Sequence, residues 1–404
     1  MRSRTLSRSG LSALFLCLIA VAASRGEAVV MTGIDILVRD GFAPLAGQRV
    51  ALISNHTGRD RNGRSTARLL HEAENVELAR IFSPEHGYEG NLDTELVADG
   101  VDRRTGVPVL SLYGEVRRPT GDMLEGIDAI VFDIQDIGAR FYTYISTMGH
   151  AMQAAADHGI RFFVLDRPNP INGVDVAGPV LDDGKQNFVG FHRIAVRHGM
   201  TVGELARLFK AELGIDVDLQ VIAMEDWHRA DFLDATALPW VNPSPNIRNL
   251  TAAILYPGIG LLETTNLSVG RGTDTPFEII GAPWLDGTAL AAQLNGAALP
   301  GVAFEPVEFV PDSSMFQGET CRGVRLSITS REQFEPLRTG FEIARRLALG
   351  YADTWDVDGY LRLLGNDATL HAVREGLPYA EIVAAYEQEL ADFKKRRERF
   401  LIYP

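Results

Sequence analysis

The stretch IFSPEHGYEG, Ile81 to Gly90, sets a carboxylate and an imidazole side by side directly after VELARIF, an apolar run that reads as a buried strand. Ser-Pro and His-Gly are also turn chemistry, so Glu85 and His86 taken alone would pass for solvated loop residues. The pattern recurs, however. VALIS is followed by Asn55 and His56, and AIVFDI ends in Asp133 with Gln135, Asp136 and Arg140 close behind. FFVLD ends in Asp166, followed by Arg167, Pro168 and Asn169. In an open parallel sheet the ligand crevice lies outside the carboxyl ends of the strands, so all four clusters are expected on one rim. Carboxylates there suit acid and base work, and amides and Arg suit hydroxyl groups. Tyr88, Tyr142 or Trp240 would offer a flat face to a pyranose. That chemistry is what a sugar needs. Glycoside cleavage adds a carboxylic acid that protonates the leaving oxygen and a second group that attacks or stabilises the anomeric carbon.

The elements that must position these groups follow from periodicity. From Val50 onward, short continuous apolar runs (VALIS, VELARIF, VPVLSLY, AIVFDI, FFVLD) alternate with helical spacing in STARLLHEA and in Tyr142–His158. Such alternation predicts an α/β fold, a parallel sheet covered on both faces. MTVGELARLFKAEL adds a helix opened by Thr201 and Glu204 in capping-box spacing, and VDLQVIAM a further strand. The proline-rich segment around Asn242–Asn249 reads as a linker. Beyond it, VAFEPVEFV and GVRLSIT read as antiparallel strands of a smaller α+β unit. The expected division is residues 32–248 and residues 249–404. The last helix, about Ala380 to Phe400, carries the basic run KKRRER, read as a solvated helix end. The long loop after the linker, PGIGLLETTNLSVGRGTDTPFEIIGAPW, brings Glu263, Asn266, Arg271, Asp274 and Glu278, and ordered loops of that length are more often functional than idle.

Several classes drop out. Neither a G-x-G-x-x-G after the first strand nor a P-loop motif occurs, and no G-x-S-x-G elbow or H-E-x-x-H is present. No cofactor is expected. Residue type alone would allow a metal on His56, His86, Asp133 and Asp166, but their spacing specifies none, so no metal is expected either. Arg2, Arg4 and Arg8 precede the apolar LSALFLCLIAVAAS, the pattern of a signal peptide over residues 1–28, too short for a permanent membrane anchor. The expected location is therefore exported, periplasmic or secreted. Residues 1–27 hold four Arg and one Glu, so their removal takes the net charge from −14 to −17 and argues against nucleic-acid binding. It also leaves Cys321 as the single cysteine, without a disulfide partner in the chain.

The segments SPEHGYEG, VFDIQDIGARFYTYISTM, LDRPNPINGVDVAGPVLD, HGMTVGELARLF, PSPN and GLLETTNLSVGRGTDTPFEIIGAPW together resemble the NamZ-type exo-β-N-acetylmuramidases, in matching order from about Thr32 to the C-terminus. The resemblance implies a Rossmann-like N-terminal domain, a smaller C-terminal domain closing the cleft, and release of N-acetylmuramic acid from the non-reducing ends of peptidoglycan fragments. It places the glutamate of the PEHG motif on Glu85, expected as the general acid. Asp136 and Glu263 are the expected candidates for the second group, with Asp133 a rim residue. Asn55, His56, His86, Tyr142, Asp166 and Asn169 are expected to bind sugar. Arg140 or Arg271 is expected to read the lactyl carboxylate of muramic acid. Where the family commonly has Glu-Gly-Thr-Asn, this chain has Glu263-Thr264-Thr265-Asn266, which bears on the shape of that loop. A non-catalytic periplasmic binding protein for cell-wall sugars and a metal-dependent hydrolase are the competing readings.

Overall fold

The computed structural model describes residues 29–94 and 96–404, so the expected leader lies outside the described residues. The apolar runs of the first half become β1 (Arg49–Ser54), β2 (Glu77–Ser83), β3 (Gly100–Val101), β4 (Pro108–Ser111), β5 (Ala129–Asp133) and β6 (Arg161–Leu165). A short antiparallel pair follows, β7 (Ala177–Val180) and β8 (Ala195–Arg197), and then β9 (Leu219–Ile222). The main sheet runs β3-β4-β2-β1-β5-β6-β9. Every neighbouring pair in it is parallel except β3 with β4. The order reverses between β1 and β5, a Rossmann-like switch point.

Both faces of this sheet are apolar because both are covered. Val50, Leu52, Val131 and Phe163 pack with Ile34, Leu37, Leu69 and Leu70 from the helices Gly33–Arg39 and Thr66–Glu72. The alternate residues Ala51, Ile53, Ile130 and Phe132 join the core that also holds Ile145, Met148, Leu205 and Phe209, from the helices Tyr144–Asp157 and Val202–Glu212. The second of these helices starts at the expected capping box of Thr201 and Glu204.

The second half forms a three-stranded antiparallel sheet, β10 (Ile279–Ala282), β11 (Val302–Phe309) and β12 (Cys321–Ile328), in the order β10-β12-β11. Its apolar core is continuous with that of the first half. Tyr142 meets Tyr256 edge-on at 5.9 Å, and Tyr256 meets Phe277 edge-on at 4.8 Å. The linker is likewise fastened. His56 Nε2 donates to the Asn242 carbonyl at 2.6 Å and Tyr144 Oη to the Pro243 carbonyl at 2.6 Å.

The expected single last helix is two, Tyr379–Ala384 and Glu387–Arg397, because Tyr386 turns inward against Phe341. Its basic end is only partly solvated. Arg396 Nε pairs with Glu212 at 3.0 Å and Arg397 Nη1 donates to the Gly199 carbonyl at 2.7 Å. The chain then returns to the carboxyl ends of β6 and β9, where Tyr403 Oη donates to the fully buried Asp166 at 2.5 Å. Among the described residues no helix is long and apolar enough to cross a membrane.

Burial pushes Asp166 up to about 6, with Tyr403, Gly203 and Thr201 donating against that push. An unfolded carboxyl sits near ~3.9. The stability this group contributes is therefore fully present below about pH 4 and is lost as pH rises through about 6. Tyr403→Phe removes a donor to the ionised form. It is expected to cost about 1.5–3 kcal/mol above pH 7 and less near pH 4, read from urea midpoints at the two pH values.

Candidate active site

Glu85 follows β2 in a tight turn where His86, Gly87 and Gly90 have φ of 68°, 75° and 67°. A side chain at Gly90 would meet the His56 ring at 1.8 Å, so glycine is required there twice over. The turn projects Glu85 into a cleft of about 430 Å³, within the size range of small-molecule sites. One wall comes from the first half, with Glu85, His86, Asp93, Tyr113 and Thr143, and the other from the second, with Glu263, Thr264, Arg271 and Arg362. The aromatic ladder of Tyr142, Tyr256 and Phe277 also lines it, with Ser244, Asn246 and Ile247 of the linker.

Each Glu85 oxygen accepts a hydroxyl hydrogen bond, Oε1 from Tyr113 at 2.6 Å and Oε2 from Thr143. No Lys, Arg or His among the described residues forms an ion pair with it. Glu263 differs. Arg271 Nη1 donates to its Oε1 at 2.5 Å, while Arg271 Nη2 holds both oxygens of Asp93 at 2.7 Å. Burial pushes the Glu263 carboxyl above its ordinary range, Arg271 pulls back, and the charges of Glu85 and Asp93 add to the push. Against the cost of partial burial, Arg271 holds Asp93 below the usual carboxylate range. Burial first, then the charges of Glu263 and Glu85, push Tyr256 well above the ordinary phenol. It therefore stays a neutral hydroxyl.

Of the residues expected from sequence, the cleft gathers Glu85, His86, Tyr142, Glu263 and Arg271. His86 Nδ1 donates to the Leu92 carbonyl at 2.7 Å, which fixes its ring. The others lie behind the rim in structural roles. Asp133 is fully buried and pairs with Arg167 Nε at 2.5 Å and with Thr66. Asn55 Oδ1 closes a turn on Thr57 at 2.9 Å. His56 is bound to the linker carbonyl, and Asn169 bridges Met200 and Ile171. Asp166 is held by Tyr403 and Thr201. Asp136, expected as a candidate second group, is buried outside the cleft lining, accepting from Gly138 N at 2.8 Å beside His198. Arg140, expected to read a carboxylate, is fully buried. It donates to the carbonyls of Pro179, Ile194, Leu363 and Leu364, and burial lowers it to about 9. The residue set that would have suited a metal is thus dispersed, and among the described residues no three His, Cys, Asp or Glu side chains are placed to hold one.

Sequence reasoning missed Asp93, Tyr113, Thr143, Asn246, Tyr256 and Arg362. Tyr113 had a signal. It follows β4 as Glu85 follows β2, so the carboxyl-end rule applied to VPVLSLY would have found it.

Two family models match almost the whole chain: the N-terminal domain of the exo-β-N-acetylmuramidase NamZ over residues 50–251 and its C-terminal domain over residues 254–403. The peptidoglycan β-N-acetylmuramidase NamZ of Bacillus subtilis (strain 168) is 43% identical over 378 residues, 93% of this chain and 91% of that protein. Two crystal structures of DUF1343 family proteins from Bacteroides fragilis NCTC 9343 are similar in fold. One has a TM-score of 0.86 at 35% identity and the other 0.75 at 32%, each covering 93% of this chain and 99% of its own.

Proposed function

Since the chain belongs to the NamZ exo-β-N-acetylmuramidase family and is a glycoside hydrolase, we propose that it removes N-acetylmuramic acid from the non-reducing ends of peptidoglycan-derived saccharides, with Glu85 as general acid. The observation that carries this reading is the pairing of Glu85 and Glu263 from opposite walls of one cleft. Two carboxyl groups flanking a sugar-sized space are what glycoside hydrolysis asks of a protein. Glu85 stands on the first-half wall with each carboxyl oxygen held by a hydroxyl, which fixes the direction in which it meets a glycosidic oxygen. Glu263, with its charge set against Arg271, suits the group that attacks or stabilises the anomeric carbon, directly or through water. Tyr113 and Thr143 orient the acid. The neutral Tyr256 and the ladder beside it offer the sugar an apolar floor with hydroxyl edges.

A second reading exchanges the two carboxyls, with Glu263 as acid, and is favoured by the burial that raises Glu263. Export to the periplasm or beyond belongs to the same proposal, because the substrate is found there.

Incubation with an aryl N-acetyl-β-muramide tests the whole reading. Multiple turnovers of aryl alcohol with release of free N-acetylmuramic acid are expected, without loss in chelator. Stoichiometric binding without turnover would instead make the cleft a sugar-binding site.

A further inference from the structure

A sugar carrying a carboxylate enters this cleft against three carboxyl side chains, Glu85, Asp93 and Glu263. Arg271 does not balance them for a ligand, because both its terminal nitrogens already hold protein carboxylates. Arg140 is spent on backbone carbonyls. Of the arginines lining the cleft, Arg362 is the one whose side chain has no hydrogen-bond or ion-pair partner among the described residues, and it is exposed.

The fold builds a seat for it. Arg362 stands on the single-turn helix Leu361–Leu364. The carbonyls of Leu363 and Leu364 accept from buried Arg140 Nη2 at 2.8 and 2.6 Å. The preceding turn is clamped to the segment that bears Glu263: Thr264 Oγ1 donates to the Gly359 carbonyl at 2.8 Å, and Asn266 bonds both Thr354 O and Asp356 N at 2.7 Å. A side chain at Gly359 would meet the Thr264 carbonyl at 2.2 Å, so the two segments touch at the backbone. Arg362 is therefore placed on the Glu263 wall by contacts that leave its own guanidinium unused.

We infer that Arg362 is the specificity-determining residue that pairs with the carboxylate of the sugar's acidic ether substituent, and that Arg140 and Thr264 act as positioning residues for it. The inference rests on the proposed muramidase reading, since the substituent is what distinguishes muramic acid from glucosamine sugars. A planar, always charged guanidinium matches a carboxylate in two-point geometry. Lost charge-assisted bonds of this kind correspond to about 10- to 100-fold in kcat/KM.

The test is a cycle between protein and substrate. Wild type, Arg362→Met and Arg362→Lys are assayed on an aryl N-acetyl-β-muramide and on the same compound with its lactyl carboxylate converted to the carboxamide. In wild type, amidation is expected to lower kcat/KM by about 10- to 100-fold. In Arg362→Met the two substrates should be used within about threefold of each other. Arg362→Lys keeps a point charge and should fall between. If Arg362→Met discriminates the two as strongly as wild type does, or wild type does not discriminate them, the inference is overturned. Loss of both substrates in proportion also overturns it, because the residue would then hold the cleft together and read nothing. Failure of wild type to cleave either compound sinks the muramidase reading itself, a separate outcome.

Discussion

Glu85→Gln is expected to lower turnover of an aryl N-acetyl-β-muramide by about two to four decades, the range general acid catalysis supplies. Gln keeps the shape and can still meet Tyr113 and Thr143, the two hydroxyls on the native carboxyl. KM should therefore change little. The loss should also shrink as the leaving alcohol becomes more acidic, because a good leaving group departs without protonation. That slope separates an acid from a residue that merely shapes the site. A deficit equally large for a dinitrophenyl and a simple alkyl aglycone would remove Glu85 from proton donation.

Glu263→Gln is expected to cost a comparable two to four decades, with the opposite dependence. Its proposed role is at the anomeric carbon, so the deficit should persist whatever the leaving group. Gln would also leave one Arg271 nitrogen without its carboxylate while Asp93 keeps the other. If the leaving-group rescue appears in Glu263→Gln and not in Glu85→Gln, the exchanged assignment is correct. If Glu263→Gln keeps activity within about tenfold, the 2-acetamido group of the sugar becomes the better candidate for the second group.

The parallel sheet was legible because its strands are buried on both faces, so VALIS, AIVFDI and FFVLD read as unbroken apolar runs. The rim was legible through topology, and Asn55, Asp133 and Asp166 do lie at the carboxyl ends of β1, β5 and β6. What each does there was not. His56 is fastened to the linker at Asn242, Asp133 to Arg167 and Asp166 to Tyr403, and partners so placed turn ligand-type residues into fasteners. Asp136 and Glu263 look alike as sequence. They differ because one is tucked beside Gly138 and the other faces open space across the cleft from Glu85. Arg362 carries no local signal at all, since what seats it is the Arg140 guanidinium reaching the Leu363 carbonyl across 223 residues.

The bond from Tyr403 to Asp166 spans 237 residues, and Ile402 N to Glu204 spans 198. Closing such contacts requires the ends of a very long loop to meet, which makes folding slow. A ribosome emitting about 5–20 residues per second leaves the first sheet waiting on the order of ten seconds or more for its last donors. During that interval Asp166 lacks its phenol and Glu204 lacks the Ile402 N–H. The first half is thus disposed to linger unfinished until residues 402 and 403 have emerged, a state that a chaperone can hold.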